Sequence, residues 1–314
     1  MTALIEVRSL SKHYPARDGK GTIRAVNDVS LSLEAGRTLG IVGESGCGKS
    51  TLARLMLRLI EPTGGDVLFN GESLLALDGS ALRRRRRDIQ IVFQDPYASL
   101  DPRMTVAAIV SEPLDIHGIS TRAERKARVL DLLDLVGLDR GAAAKYPHEF
   151  SGGQRQRIGI ARAISLEPRL IVLDEPVSAL DVSIQSQILN LLIDLKQRLK
   201  LSYIFISHDL SVVEHVSDEV AVMYLGRIVE YGTAERVFGS PLHPYTQALV
   251  SAVPEIDPQK RRLRIVLAGD LPNPENMPTG CSFHPRCQSA MALCKETRPE
   301  LKVTQGRAVA CHLY

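Results

Sequence analysis

No stretch of this sequence approaches the ~20 continuous apolar residues that a membrane-spanning helix needs. Even Leu52–Ile60 is interrupted by Arg54 and Arg58. Nor does the start read as a secretory leader, because Met1–Leu10 carries Glu6 and Arg8 where the apolar core of a signal peptide would fall. A cytoplasmic location is the expectation. Charge of one sign is also scarce: 39 Lys and Arg against 36 Asp and Glu leave +3, too little to imply a nucleic-acid partner. The only low-complexity run, Arg83–Arg87, has no aromatic residues interleaved as a base-stacking platform would require. Asp78, Asp88 and Asp95 dilute its field, so it reads as a solvated helix end before a strand. There is no internal repeat. Disulfides are not expected of a cytoplasmic chain with five cysteines. With 44% hydrophobic and 24% charged residues, the chain is neither disordered nor fibrous. Its 314 residues allow two domains, or one large domain with attachments.

What is present alternates between strand and helix patterns. Ile5–Leu10 and Val26–Leu33 alternate as half-exposed strands. Thr38–Val42 is a short apolar strand that runs into the glycine-rich Gly43–Ser50, and Thr51–Ile60 has helical spacing. Val67–Asn70 and Ile89–Phe93 read as further strands, followed by a helical stretch from Thr105 to about Ser165. Leu170–Leu173 and Tyr203–Ser207 are strands buried on both faces, with the amphipathic helix Ile184–Leu199 between them. Val220–Tyr224 and Arg227–Tyr231 form a strand pair joined at Leu225-Gly226. Helices between buried parallel strands predict an α/β fold. Past Ser240 the prolines become dense (Pro241, Pro244, Pro254, Pro258, Pro272, Pro274, Pro278), which predicts an irregular extension.

Two motifs carry the chemistry. Gly43-Glu44-Ser45-Gly46-Cys47-Gly48-Lys49-Ser50, followed by Thr51, matches the G-x-x-x-x-G-K-[ST] phosphate loop. Its glycines let the backbone curl so that N–H groups face phosphate oxygens, and the following helix adds its positive end. Lys49 is placed to reach the β- and γ-phosphates, and the Ser50 hydroxyl to ligate Mg²⁺. Leu170-Ile171-Val172-Leu173-Asp174-Glu175 ends a buried strand in two acids. In a phosphate-loop ATPase, Asp174 would hold Mg²⁺ and Glu175 would polarise the attacking water.

A third segment makes the chain resemble the ATP-binding cassette family. Phe150-Ser151-Gly152-Gly153-Gln154-Arg155-Gln156-Arg157 is similar to that family's signature motif, with Phe where many relatives have Leu. The resemblance implies that Ser151, Gly152, Gly153 and Gln154 close on the γ-phosphate bound by an opposite subunit, so that two chains sandwich two ATPs. It further implies that Gln94 contacts Mg²⁺ and senses the γ-phosphate, that His208 steadies the γ-phosphate and the water, and that Asp181 in Ser178-Ala179-Leu180-Asp181 crosses the interface. Tyr14 would stack on adenine. The implied fold is a RecA-like phosphate-loop core with an antiparallel β subdomain. A helical subdomain is inserted at about residues 96–160, and the cassette spans 1–240. Cys47 is given no redox role.

The tail, 241–314, resembles that of ATPases serving dipeptide and oligopeptide importers, through Ser240-Pro241-Leu242-His243-Pro244-Tyr245-Thr246 and Gly280-Cys281-Ser282-Phe283-His284-Pro285-Arg286-Cys287. Phe93–Pro102 fits the same branch. This implies a peripheral subunit on the cytoplasmic face of the cell membrane. Its partners would be a sibling ATPase, two membrane permease subunits and, indirectly, a peptide-binding protein. Related importers of nickel chelates or glutathione are the alternative, and a ribosome- or DNA-associated cassette would need a second cassette or a long coiled-coil insertion. Cys281, Cys287, Cys294 and Cys311 are spaced C-x5-C-x6-C-x16-C. Thiolates suit zinc or iron–sulfur. The lack of close C-x₂₋₄-C pairs favours a [4Fe–4S] cluster over zinc, with reduced unligated thiols as the remaining reading. His284 and His312 are alternative ligands.

Overall fold

The computed structural model of the chain describes residues 3–16, 21–254 and 263–314. Pro258 and most of the loop between the first two strands lie outside these. The chain divides into two compact units, Met1–Leu75 with Ile206–Tyr314, and Ala76–Phe205.

In chain order the first unit begins with β1 (Ile5–Pro15), β2 (Thr22–Leu33), β3 (Thr38–Val42), α1 (Lys49–Met56), β4 (Gly64–Phe69) and β5 (Glu72–Ser73). The second unit supplies α2 (Gly79–Arg85), β6 (Ile89–Val92), α3 (Pro96–Ser99), α4 (Val106–Ile116), α5 (Arg122–Leu135), α6 (Gly152–Ile164), β7 (Leu170–Asp174), α7 (Val182–Leu199) and β8 (Ser202–Ile206). The chain then returns to the first unit with α8 (Leu210–Val216), β9 (Glu219–Tyr224), β10 (Arg227–Thr233), α9 (Ala234–Gly239), α10 (Pro244–Ser251), α11 (Ala292–Glu296), β11 (Lys302–Thr304) and β12 (Arg307–Val309).

The first unit holds an antiparallel sheet, β2-β1-β4-β5, and a second series, β11-β12-β10-β9-β3, in which β3 lies parallel to β9. The second unit holds the strands β8, β7 and β6, with β6 and β7 parallel. Every residue of β3, β7 and β8 is buried, as their unbroken apolar runs require. The mixed α/β class follows from these strands and their crossover helices. Two boundaries differ from the sequence reading. β1 reaches Pro15, because register shifts after Val7 and Leu10 let it keep pairing with β2 past the end of its apolar alternation. α1 stops at Met56, because Arg58 adopts a positive φ and its guanidinium donates to Leu74 O (2.8 Å). The Arg83–Arg87 run behaves as predicted: α2 buries no residue, and its arginines occupy the last turn, where cations favour the helix end.

The tail is more ordered than its prolines predict, since β11 and β12 add to the sheet beside β10. A buried ion pair locks them there. Glu230 on β10 is fully buried and faces Arg307 on β12 (3.4 Å), which is almost as buried. Glu230 also accepts from the backbone N–H groups of Leu242 and His243 (3.0 and 2.9 Å), while Arg307 donates to Ser240 O (2.7 Å) and to Arg236 O. Next to this knot, Tyr224, His243, Tyr245 and Phe283 form an aromatic cluster, with Tyr224 and Tyr245 centroids 4.6 Å apart. Burial pushes the His243 imidazole down to about 3, so it is neutral and its Nδ1 accepts from the Tyr245 N–H (3.1 Å). Removing one partner of a buried pair leaves the other uncompensated, at a cost of about 3 kcal/mol or more. Arg307→Met is therefore expected to lower the thermal midpoint by several degrees in a melting experiment, and an unchanged midpoint would contradict this account of the tail.

Candidate nucleotide site

The first unit carries the phosphate loop between β3 and α1. Two glycines have no substitute there. Gly43 and Gly48 have φ of 154° and 108°, and a Cβ would strike the carbonyl oxygens of Met223 and Ala25 respectively. The loop backbone is pinned from the neighbouring turn, where Gly226 N–H donates to Cys47 O (2.8 Å). Lys49 opens α1 and is buried, its ammonium folded back onto Gly43 O (2.7 Å) and Glu44 O (3.0 Å). Ser50 and Thr51 follow it in the first turn of the helix. Cys47 is buried and its thiol is pushed up by that burial. Tyr14 stands near the end of β1 with its ring exposed and the Lys12 ammonium 5.0 Å from its centroid. His208 is exposed in the bend after β8, which Ser207 steadies by accepting from Asp209 N–H (3.0 Å).

The second unit carries the two acids. Asp174 is buried at the end of β7, and Glu175 follows with φ of 49°, a left-handed conformation unusual for a glutamate. Gln94, after β6, donates through its side-chain amide to Glu175 Oε2 (2.9 Å), so two predicted site residues 81 positions apart are brought together. The hydroxyl of Ser178 caps the same turn by donating to Glu175 O (3.1 Å). Ser50, Gln94 and Asp174 all offer oxygen, the donor a hard cation such as Mg²⁺ takes, and Asp174 provides a buried carboxylate that suits a cation.

The signature segment forms the exposed start of α6. Ser151 is its N-cap, with a reciprocal capping box to Gln154 (3.4 and 3.0 Å). Gly152 is exposed, whereas Gly153 is buried where a Cβ would strike Ile184. Asp181, exposed at the start of α7, lies on a loop held by Gln185, whose amide donates to Val177 O (3.1 Å) and Leu180 O (2.9 Å). Tyr97 stands out from α3 with the Arg155 guanidinium over its ring, 4.3 Å from the centroid.

The tail cysteines require a correction. Cys281, Cys287, Cys294 and Cys311 are all free, and Cys281 N–H donates to Cys294 O (2.8 Å). Burial, aided by the neighbouring thiols, pushes Cys281 up to about 11. Cys287 and Cys311 are raised for the same first reason. Among the described residues, no group of three or more His, Cys, Asp or Glu side chains is gathered as metal ligands. His284 and His312 are turned to the backbone carbonyls of Cys281 (2.9 Å) and Thr297 (2.8 Å). The expected [4Fe–4S] cluster is thus not supported by this arrangement, and no step is derived through it.

Sequence reasoning missed the contacts behind the phosphate loop. Glu44 N–H donates to the Tyr245 hydroxyl (2.9 Å), and the Arg286 guanidinium donates to Glu44 Oε2 (2.8 Å). These partners lie 201 and 242 positions away, and the one local signal was an arginine alone between two cysteines.

Comparison with known proteins identifies the family to which the chain belongs. Residues 26–178 match the family described as ABC transporter, and residues 229–294 match the C-terminal region of oligopeptide/dipeptide transporters. The oligopeptide transport ATP-binding protein AppF of Bacillus subtilis is 53% identical over 99% of this chain and 97% of its own length. The dipeptide transport ATP-binding protein DppF of Escherichia coli is 52% identical over 98% and 93%. Among solved structures, a dimeric post-hydrolysis state of the ATP-binding cassette MJ0796, bound to ADP and Pi, superposes with a TM-score of 0.67 at 30% identity. It covers 73% of this chain and 98% of that one.

At Gly48 an added methyl meets both a disallowed φ and a fixed carbonyl. Gly48→Ala should destabilise the chain by more than about 1 kcal/mol and weaken nucleotide binding. Unchanged melting and unchanged binding would show that the loop is not constrained as described.

Proposed function

Since the chain belongs to the ABC transporter family and carries the oligopeptide/dipeptide C-terminal region, we propose that it is the ATP-binding and ATP-hydrolysing subunit that energises a membrane importer of dipeptides or oligopeptides. The observation that carries the hydrolytic part is the Gln94–Glu175 hydrogen bond beside a strained Glu175 backbone. It holds a carboxylate oxygen in a fixed direction before substrate arrives. ATP is the substrate: the N–H groups of Gly43–Ser50 and the Lys49 ammonium bind its phosphates, and the exposed Tyr14 ring takes the adenine. Glu175 accepts the proton of the attacking water, and His208 orients that water and the γ-phosphate. Mg²⁺, held by Ser50, Gln94 and Asp174, would neutralise charge on the phosphate oxygens.

The exposed N-terminus of α6 supports a head-to-tail pairing. Its orphan N–H groups and Ser151 form an anion cradle with no phosphate source on their own helix, which a second cassette would supply, with Asp181 at the seam. A sibling ATPase is the proposed second cassette, and two permease subunits and a peptide-binding protein complete the transporter. Among the described residues no helix is long and apolar enough to cross a membrane, which fits peripheral attachment to the permeases on the cytoplasmic face. Exposed Tyr97, presented by the short α3 after Gln94, is the proposed contact for the permease, so that a change at Gln94 is passed outward.

Replacing Glu175 with Gln keeps the hydrogen bonding but removes the base. ATP should still bind, while hydrolysis in the assembled transporter should fall by about a hundredfold or more. Turnover at the normal rate in E175Q would remove Glu175 from its role.

A further inference from the structure

A phosphate loop is built to attract negative charge, yet this one carries a carboxylate at its second position. Glu44 lies between Gly43 and the rest of the loop, and its own carbonyl accepts from the Lys49 ammonium that is to meet the phosphates (3.0 Å). A carboxylate turned inward here would repel a polyphosphate and compete for Lys49. The structure turns it outward, toward the tail. Arg286, with a side chain only 9% exposed, pairs with Glu44 Oε2 at 2.8 Å. Burial works against the charge of Arg286, but its pairing with the Glu44 carboxylate outweighs that and holds it firmly protonated. On the other side of the same residue, the Tyr245 hydroxyl accepts from Glu44 N–H (2.9 Å), fixing the backbone as Arg286 fixes the side chain.

Both anchors are themselves rigid. Tyr245 is fully buried on α10, and its ring packs against Tyr224 and Phe283. Arg286 sits on the single turn His284–Arg286 between Cys281 and Cys287, three residues from the buried Phe283. The brace therefore exists only while the C-terminal extension is docked. We propose that Arg286 and Tyr245 are positioning residues of the phosphate loop, which hold Glu44 away from bound phosphates and make the nucleotide affinity of this chain depend on docking of its C-terminal extension. The role is electrostatic at Arg286 and conformational at Tyr245, and neither residue touches the reacting atoms.

The inference rests on the loop binding ATP, and the test separates the two. Full-length chain is titrated with ATP and Mg²⁺ as wild type, R286M, E44Q and the double variant, with melting curves as a check on folding. R286M should weaken binding by about three- to tenfold, because the carboxylate is released beside the phosphates. In the E44Q background the same change should cost less than about twofold, since no carboxylate remains to be released. R286K should bind ATP nearly as wild type, and Y245F should weaken binding while keeping the aromatic packing. If R286M does not fold, R286Q takes its place in the cycle. Equal losses in both backgrounds, or no loss in the wild-type background, would overturn the proposal. Absence of ATP binding by the wild-type chain would instead overturn the reading of the loop itself.

Discussion

The first unit is organised around one constraint: a loop that collects N–H groups and an ammonium about a single point must hold that shape with no anion in it. Backbone freedom at Gly43 and Gly48 makes the curl possible, but it does not hold it. Holding comes from behind. The turn between β9 and β10 donates to Cys47 O, Lys49 is folded onto the loop's own carbonyls, and Tyr245 and Arg286 take the two ends of Glu44. The aromatic cluster and the Glu230–Arg307 pair stand behind these contacts in turn. A binding loop that is preorganised in this way loses less entropy when the ligand arrives.

The second unit is constrained differently. Its acids are placed by a strand end and a strained turn rather than by a glycine-rich loop, and Gln94 hydrogen-bonds to the second of them, Glu175. The signature helix start is finished as a structural element by the Ser151–Gln154 capping box, yet it remains exposed. A cap that is complete and still open to solvent suits the proposed head-to-tail pairing, in which each cassette would contribute one half of the phosphate shell. Binding can then draw two such chains together, and hydrolysis can release them, only because the two states differ in affinity for nucleotide.

The loop, the Leu170–Glu175 strand and the signature segment were legible because each is contiguous and each has a local physical reason: glycine for positive φ, an unbroken apolar run for a doubly buried strand, serine for an N-cap. The β9–β10 pair was legible from Leu225-Gly226, both of which do take positive φ. What escaped was long-range. Glu230 is an isolated acid in a short strand, and only the β12 hairpin, with Arg307 77 positions later, reveals its buried partner. The same is true of Glu44, whose partners lie in a tail that the density of prolines marks as irregular. The cysteine spacing pointed to a cluster, but the chain turns both nearby histidines to backbone carbonyls and gathers no ligand set among the described residues.

The central claim is that this chain spends ATP to move peptides, and reconstitution tests it most directly. The chain and its proposed partners, a sibling ATPase, two permeases and a peptide-binding protein, would be placed in proteoliposomes, and uptake of labelled dipeptide and pentapeptide would be followed with ATP or a non-hydrolysable analogue on the cassette side. The account predicts uptake of at least one peptide with ATP and none with the analogue. Equal uptake with both nucleotides, or ATP-driven uptake of a nickel chelate with neither peptide transported, would contradict it.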